Sequence, residues 1–176
     1  LNDPAYNYSS QLDSWDGNLK VDNKETDFFN LDINYNLPNS FEIYRSFFPR
    51  KLKAIGESSP NYFPLDEANN GGAATRIAKD LPEAKIIILL RDPINRAFSH
   101  WNHIDVKKPS WGSDYYNKSF DEVVRLKDNN LLDRSKYSLN LRSWINTIGK
   151  DKIYVTLQES LVANPLREIN KICDFL

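Results

Sequence analysis

Ile86-Ile87-Ile88-Leu89-Leu90-Arg91-Asp92-Pro93-Ile94-Asn95-Arg96-Ala97-Phe98-Ser99 decides how this chain folds. A continuous apolar run of strand length, Ala84 to Leu90 with only Lys85 intervening, suits a parallel strand buried on both faces. The run ends in an arginine, and a helix begins two residues later. Asp92 is a good N-cap and Pro93 suits the first helical position, which predicts a helix from Pro93 to about Val106. In parallel α/β sheets, ligands bind outside the carboxyl ends of the strands. Arg91 at such an end, beside a helix N-terminus, is a natural anion site.

At about 100° per residue, Ile94, Ala97, Phe98, Trp101 and Ile104 share one helix face, which is expected to lie on the sheet. Arg96, Ser99 and His103 fall on the opposite side, with His103 one turn, about 6 Å, beyond Ser99. A hydroxyl and an arginine converging near a strand end fit one phosphate. The same spacing also fits a surface salt-bridge arginine and a solvated helix serine. His100 and His103, three residues apart, have no carboxylate or thiol spaced to make a metal site with them.

Working outward, Lys53-Ala-Ile-Gly-Glu57 and Lys152-Ile-Tyr-Val-Thr-Leu157 read as two further strands. Helices are predicted at five other places. Asn39 or Ser40 caps one carrying Phe41, Tyr44, Phe47 and Phe48, ended by Pro49. Another spans Ala73 to Leu81, and Ser119 caps one from Phe120 to Lys127. Tyr137, Leu141, Trp144, Ile145 and Ile148 make an apolar stripe that Gly149 ends. Pro165 opens a last helix through Ile169, Ile172 and Phe175. Strands alternating with helices argue an α/β fold, a three-layer parallel sheet flanked by helices. Residues 1–24 read as a polar, loop-rich lead-in, and the whole as one partial domain. Trp15, Trp101, Trp111 and Trp144 read as core or rim residues.

The 176 residues are 40% hydrophobic and 12% aromatic, which excludes a disordered chain. Lys and Arg number 23 against 24 Asp and Glu, so no bulk field points to nucleic acid. The longest purely aliphatic run, Ile86 to Leu90, is far short of the ~20 residues of a membrane span. Cys173 is the single cysteine, which excludes an internal disulfide framework and a cysteine-cluster metal site, and mildly favours a cytoplasmic location. The chain has no Met, and it stops at Cys173-Asp174-Phe175-Leu176 inside an apolar pattern. The expectation is an excerpt of a longer polypeptide, or one incompletely traced.

Arg91-Asp-Pro-Ile-Asn-Arg96-Ala-Phe-Ser99 resembles the R-x-P-x-x-R-A-x-S signature of sulfotransferases that use 3′-phosphoadenosine-5′-phosphosulfate (PAPS). Ile55-Gly-Glu57-Ser58-Ser-Pro-Asn-Tyr-Phe63 resembles that family's E-[KA]-S-P-x-Y segment, and Leu81-Pro-Glu-Ala-Lys-Ile86 its LP-x-AK-I approach to the strand. Tyr137-x3-Leu141-x2-Trp144, Glu159-x-Leu161-x3-Pro165 and the closing Asp174-Phe175-Leu176 resemble later family segments. Order and spacing agree from about residue 24 to the end, nearest to the heparan-sulfate type and its bacterial relatives.

The resemblance implies a P-loop-NTPase-like sulfotransferase fold, incomplete at both ends. It implies transfer of a sulfuryl group from PAPS, with no metal, to a hydroxyl or amine acceptor of carbohydrate or small-metabolite type. By it, Arg91 and Ser99 hold the 3′-phosphate. Lys24-Glu25-Thr26-Asp27-Phe28-Phe29 resembles the family's K-E-x-x-F-F segment, whose glutamate takes the acceptor's proton, and a placed carboxylate suits that task. On its own Glu25 equally reads as an exposed turn residue. His103 is a second catalytic candidate, on the acceptor side, beside its ordinary reading as a solvent-exposed histidine. Gln158 closes the third strand candidate, near where the adenine would lie.

The pattern is broken in two places. The family's phosphate-binding loop follows its first strand, and none of Gly17, Gly56, Gly71, Gly72, Gly112 or Gly149 sits in such a loop. This excerpt alone is expected to be inactive. Ser58 stands where many polysaccharide-sulfating members have lysine, which leans toward the bacterial branch. Two rival readings follow. A non-catalytic sulfotransferase-like domain would bind a polyanion or a partner protein. A nucleotide kinase would need Gly-x4-Gly-Lys-[Ser/Thr], which is not seen. A Golgi-lumen location is the alternative if a membrane anchor lies upstream.

Overall fold

The computed structural model describes residues 26–30, 35, 36, 38–48, 55–64, 72–107, 118–126 and 130–176. The chain divides into two compact units, at Arg76 and Ile77.

In the first unit, helix α1 spans Ser40–Ser46 and a 3₁₀ turn spans Pro60–Tyr62. Asn39 precedes α1 with φ 57°, without a side-chain cap, and the Ser40 hydroxyl donates to the Tyr35 carbonyl at 2.7 Å. Asn39 is thus the N-cap residue, but in a left-handed conformation that Asn tolerates and without the expected side-chain bond. Phe28, Phe29 and Tyr44 are buried. Phe28 stacks on Tyr44 at 4.6 Å, and Phe29 meets it edge-on at 5.1 Å. Such ring pairs add about 0.5–1.5 kcal/mol beyond area burial. The Arg76 guanidinium lies over the Tyr35 ring and donates to the Phe29 carbonyl at 3.0 Å. Arg76 belongs to helix α2, Gly72–Asp80, which straddles the division. No strand forms over Ile55–Glu57, and Lys53 and Ala54 lie outside the described residues, as does Pro49.

In the second unit, strands β1 (Ile86–Leu90) and β2 (Ile153–Leu157) pair in parallel, Ile86 with Ile153 through Leu90 with Leu157. Ile88 is buried in β1 while Ile87 and Leu89 are exposed; Thr156 is buried in β2 while Val155 and Leu157 are exposed. In this register Ile88 sits beside Val155 and Leu89 beside Thr156. Each strand is therefore covered on one face only, and the two cover opposite faces. That corrects the expectation of burial on both faces.

Helix α3 (Pro93–Lys107) follows β1, and Asp92 caps it, accepting from the Asn95 N–H at 2.8 Å. Its neighbours are α4 (Phe120–Val124) and α5 (Asn130–Asp133). Ala97, Val123 and Leu131 form the buried core here, with Trp101, Phe120, Leu126 and Leu132 packed against it. Ile94 and Phe98 do not lie under the sheet as the wheel suggests; they are 70% and 50% exposed, and Phe98 rings only against Trp101 and Phe120 among its described aromatic contacts. Arg96 is also not a solvent-facing residue. Its guanidinium donates to the Leu131 carbonyl and, at 2.6 Å, to the Ser135 hydroxyl, and meets His100 Nδ1 at 3.3 Å. A long cationic side chain here buries its stem and satisfies a carbonyl of the neighbouring helix α5, an outcome a wheel cannot show.

Helix α6 (Tyr137–Ile148) buries Trp144 and stops at Gly149, whose φ of 98° is open only to glycine without strain. A Cβ there would also meet Asp151 Oδ1 at 2.9 Å. Helices α7 (Gln158–Ala163) and α8 (Pro165–Phe175) follow β2. Glu168 of α8 is buried, accepts from the Thr156 hydroxyl at 3.1 Å, and is paired with Lys171 at 2.6 Å. Cys173 on α8 is exposed.

Two stability predictions follow from these contacts. Ser119 and Glu122 form a reciprocal capping box on α4, so Ser119→Ala costs about 1 kcal/mol in chemical denaturation. His100 is held neutral, its pKa pushed down to about 4, first by burial and then by the Arg134 and Arg96 charges. The unfolded chain binds that proton near pH 6.5 and the native one only near pH 4, so stability falls as the pH drops between those values. His100→Gln flattens that segment of the stability-against-pH curve; an unchanged slope would refute the assignment.

Candidate functional site

The carboxyl ends of β1 and β2 open together on a cavity of about 390 Å³, lined by Arg91, Asn95, Gln158, Glu159, Val162 and Ala163. This is where a parallel sheet offers its strand ends to a ligand. Arg91 is the residue that the apolar run delivers to the rim, and it is half-buried. Its backbone is fixed from the far side, because the Tyr137 hydroxyl donates to the Arg91 carbonyl at 2.9 Å.

The two strand ends are tied to each other. Glu159 Oε1 accepts the Asp92 N–H at 2.9 Å. That bond is the chief reason the Glu159 carboxyl is held below the ordinary carboxylate range, and the neighbouring Arg91 charge adds to it. Asp92 thus caps α3 with its side chain and, through its N–H, is held by Glu159 in the first turn of α7, the helix that follows β2. The cavity brings one guanidinium, one carboxylate and two side-chain amides against a small apolar wall. Such a set can neutralise an anion at Arg91 and give hydrogen bonds to a flat polar group beside Val162 and Ala163.

Of the residues singled out in the sequence, Arg91 lines this cavity and Gln158 joins it. Ser99 is exposed on the second turn of α3 and is not among the cavity's lining residues; His103 is exposed one turn further along. Glu25 lies outside the described residues, as do the lead-in 1–24, Trp15, Trp111 and Gly71. Sequence reading gave Asn95 no part in a site and used Glu159 only as a motif letter. The signal was a polar pair, Gln158-Glu159, directly after an apolar strand. Among the described residues, no group of three or more His, Cys, Asp or Glu is placed to hold a metal ion. No helix among them is long and apolar enough to cross a membrane.

Comparison with known proteins places this chain in a family. Residues 26–176 match the model of the sulfotransferase family. The chain is 29% identical over 143 residues to heparan sulfate glucosamine 3-O-sulfotransferase 3B1 of Mus musculus, covering 76% of this chain and 34% of that protein. It is 27% identical over 167 residues to bifunctional heparan sulfate N-deacetylase/N-sulfotransferase 2 of Homo sapiens, covering 87% of this chain and 18% of that one. The chain therefore spans about a third or less of the length of these relatives. The crystal structure of a sulfotransferase from Alicyclobacillus acidocaldarius shares the fold, with a TM-score of 0.66 and 24% identity over 86% of this chain and 67% of that one. The α/β architecture expected from the strand and helix order is the architecture of that enzyme. Sequence motifs, family match and fold agree from residue 26 to the end, and this chain belongs to the sulfotransferase family.

Proposed function

We propose that the protein carrying this chain moves a sulfuryl group from PAPS to a hydroxyl or amine of a carbohydrate or small-metabolite acceptor. The observation that carries this reading is Arg91: the family's motif arginine stands at the mouth of the strand-end cavity, not on a solvated helix face. Its guanidinium suits a phosphate, which it can meet through paired N–H donors. Ser99 is assigned the same 3′-phosphate from the motif, and its exposed hydroxyl leaves it open to a ligand. One relative is named a heparan sulfate glucosamine 3-O-sulfotransferase and another a heparan sulfate N-deacetylase/N-sulfotransferase, which supports a carbohydrate acceptor at oxygen or nitrogen.

In this reading the acceptor oxygen or nitrogen attacks sulfur, and the bond from sulfur to the 5′-phosphate oxygen breaks in line with it. The acceptor's proton passes to the Glu25 carboxylate, and the electron pair of the broken bond leaves with the nucleotide. Arg91, with its carbonyl held by Tyr137 and its neighbour's N–H held by Glu159, keeps the nucleotide from shifting during transfer. Most of the rate gain then comes from positioning and charge stabilisation. His103, beyond Ser99 on α3, is assigned to the acceptor side.

Titration of the full-length protein with the product nucleotide, 3′-phosphoadenosine-5′-phosphate, tests the donor site. Arg91→Ala weakens binding by about ten- to a hundredfold, the loss of a charged hydrogen bond, and Ser99→Ala by less. Wild-type affinity in both variants would overturn the site, and no nucleotide binding by the wild type would favour a non-catalytic binding domain. Glu25→Gln lowers kcat by about 10²- to 10⁴-fold while product-nucleotide affinity stays within twofold.

A further inference from the structure

Arg96 is the second arginine of the motif that delivers Arg91, yet it is not among the residues that line the cavity. Its half-buried guanidinium is engaged by α5 and by the short link from α5 to α6. Nη2 donates to the Leu131 carbonyl, Nε donates to Ser135 Oγ at 2.6 Å, and Nη1 meets His100 Nδ1 at 3.3 Å. A guanidinium has donors and no acceptor, so Nδ1 is the ring nitrogen that accepts, and the neutral imidazole carries its proton on Nε2. Each of the three guanidinium nitrogens therefore has an acceptor within the protein. An anion bound at Arg91 is met by the first motif arginine and not by the second.

The link that Arg96 holds returns two bonds to the junction between β1 and α3. The Ser135 hydroxyl, which accepts from Arg96, donates to the Pro93 carbonyl at 3.2 Å. Two residues on, the Tyr137 hydroxyl donates to the Arg91 carbonyl at 2.9 Å. The link is closed on itself: the Ser135, Lys136 and Tyr137 N–H groups donate to the Leu132, Asp133 and Ser135 carbonyls at 2.8, 3.0 and 2.9 Å. Its near end is anchored by Leu131, whose side chain is fully buried in the core that also holds Ala97. The two segments are thus joined at Arg91, Pro93 and Arg96 on one side and at Leu131, Ser135 and Tyr137 on the other. Bonds from a guanidinium are charge-assisted, roughly twice as strong as those between neutral groups.

We propose that Arg96 is a positioning residue for the nucleotide site: it docks the link Leu131–Tyr137 against the start of α3, and the link, through Ser135 and Tyr137, fixes the backbone from which Arg91 reaches the donor nucleotide. This rests on the reading of Arg91 as a ligand of the 3′-phosphate. Arg96 touches no ligand in this role. With the Arg91 carbonyl held by Tyr137 and the next N–H held by Glu159, binding has only the arginine side chain left to order. Loosening that backbone adds an ordering cost to every binding event and weakens affinity without removing a contact. Lysine does not substitute, because a single ammonium lacks the planar fork that spans the Leu131 carbonyl and the Ser135 hydroxyl.

Titration of the full-length protein with 3′-phosphoadenosine-5′-phosphate, in double-mutant cycles with Arg91→Ala, tests it. Arg96→Lys keeps the charge and loses the fork, and it weakens binding about tenfold; Ser135→Ala and Tyr137→Phe, each removing one hydroxyl, weaken it about two- to tenfold. In the Arg91→Ala background none of the three weakens binding further, because the group they position is gone. If Arg96→Lys does not fold, Ser135→Ala decides, since it removes the group that joins Arg96 to Pro93. Wild-type affinity in Arg96→Lys and Ser135→Ala overturns the proposal. A loss by the same factor with and without Arg91 also overturns it, as the mark of a general structural effect. Arg91→Ala alone separates the two levels. If it binds the nucleotide weakly while Arg96→Lys and Ser135→Ala bind like the wild type, the Arg91 reading stands and the positioning role falls. If Arg91→Ala binds like the wild type, the Arg91 reading falls, and the positioning role with it.

Discussion

The peptide N–H of Asp92 is the constraint on which the second unit turns. It belongs to a two-residue junction that must end a strand, start a helix and leave a guanidinium at the rim of the cavity. Glu159 holds that N–H from the first turn of α7, just after the neighbouring strand, while the Asp92 side chain caps the helix that follows β1. A carboxylate gripping a backbone N–H makes a stronger bond than a neutral acceptor. The two strand ends and the helix start thereby behave as one piece, and Arg91 inherits a fixed origin for its long side chain.

The same logic recurs in the first unit with the partners exchanged. There the Glu57 carboxylate collects hydroxyls from its own segment, at Tyr62, and from two others, at Thr26 and at Tyr44 of α1, beside a turn carrying the left-handed Asp27. Both units thus use an acidic side chain as an internal clamp, spending ionised groups on backbone geometry. Carboxylates placed this way are easy to mistake for catalytic groups, and their lone-pair occupancy is what separates the two roles.

Local signals were legible. Asp92-Pro93, Ser119 and Gly149 each marked a helix boundary that the structure keeps, because capping and positive φ depend on a few adjacent residues. The motif arginine was legible for the same reason: a strand of known length ends where its apolar run ends. What could not be read was the identity of the surface each face meets. A wheel groups Ile94, Ala97 and Phe98, yet the helix seats Ala97 against Val123 and Leu131 and leaves the other two exposed. An apolar run looks alike whether one side or both are covered, so Ile87 and Leu89 gave no warning. The Asp92–Glu159 bond joins residues 67 positions apart, and Thr26 reaches Glu57 across 31. Partners at such separation are brought together by topology, which no window of sequence contains.

The lone thiol has a practical consequence. Cys173 is exposed on α8, the helix whose Glu168 is bonded to Thr156 of β2. In this stretch of chain a maleimide dye or nitroxide would attach at that one place, giving a spectroscopic reporter on the layer that covers the second strand, with no cysteine needing to be engineered away.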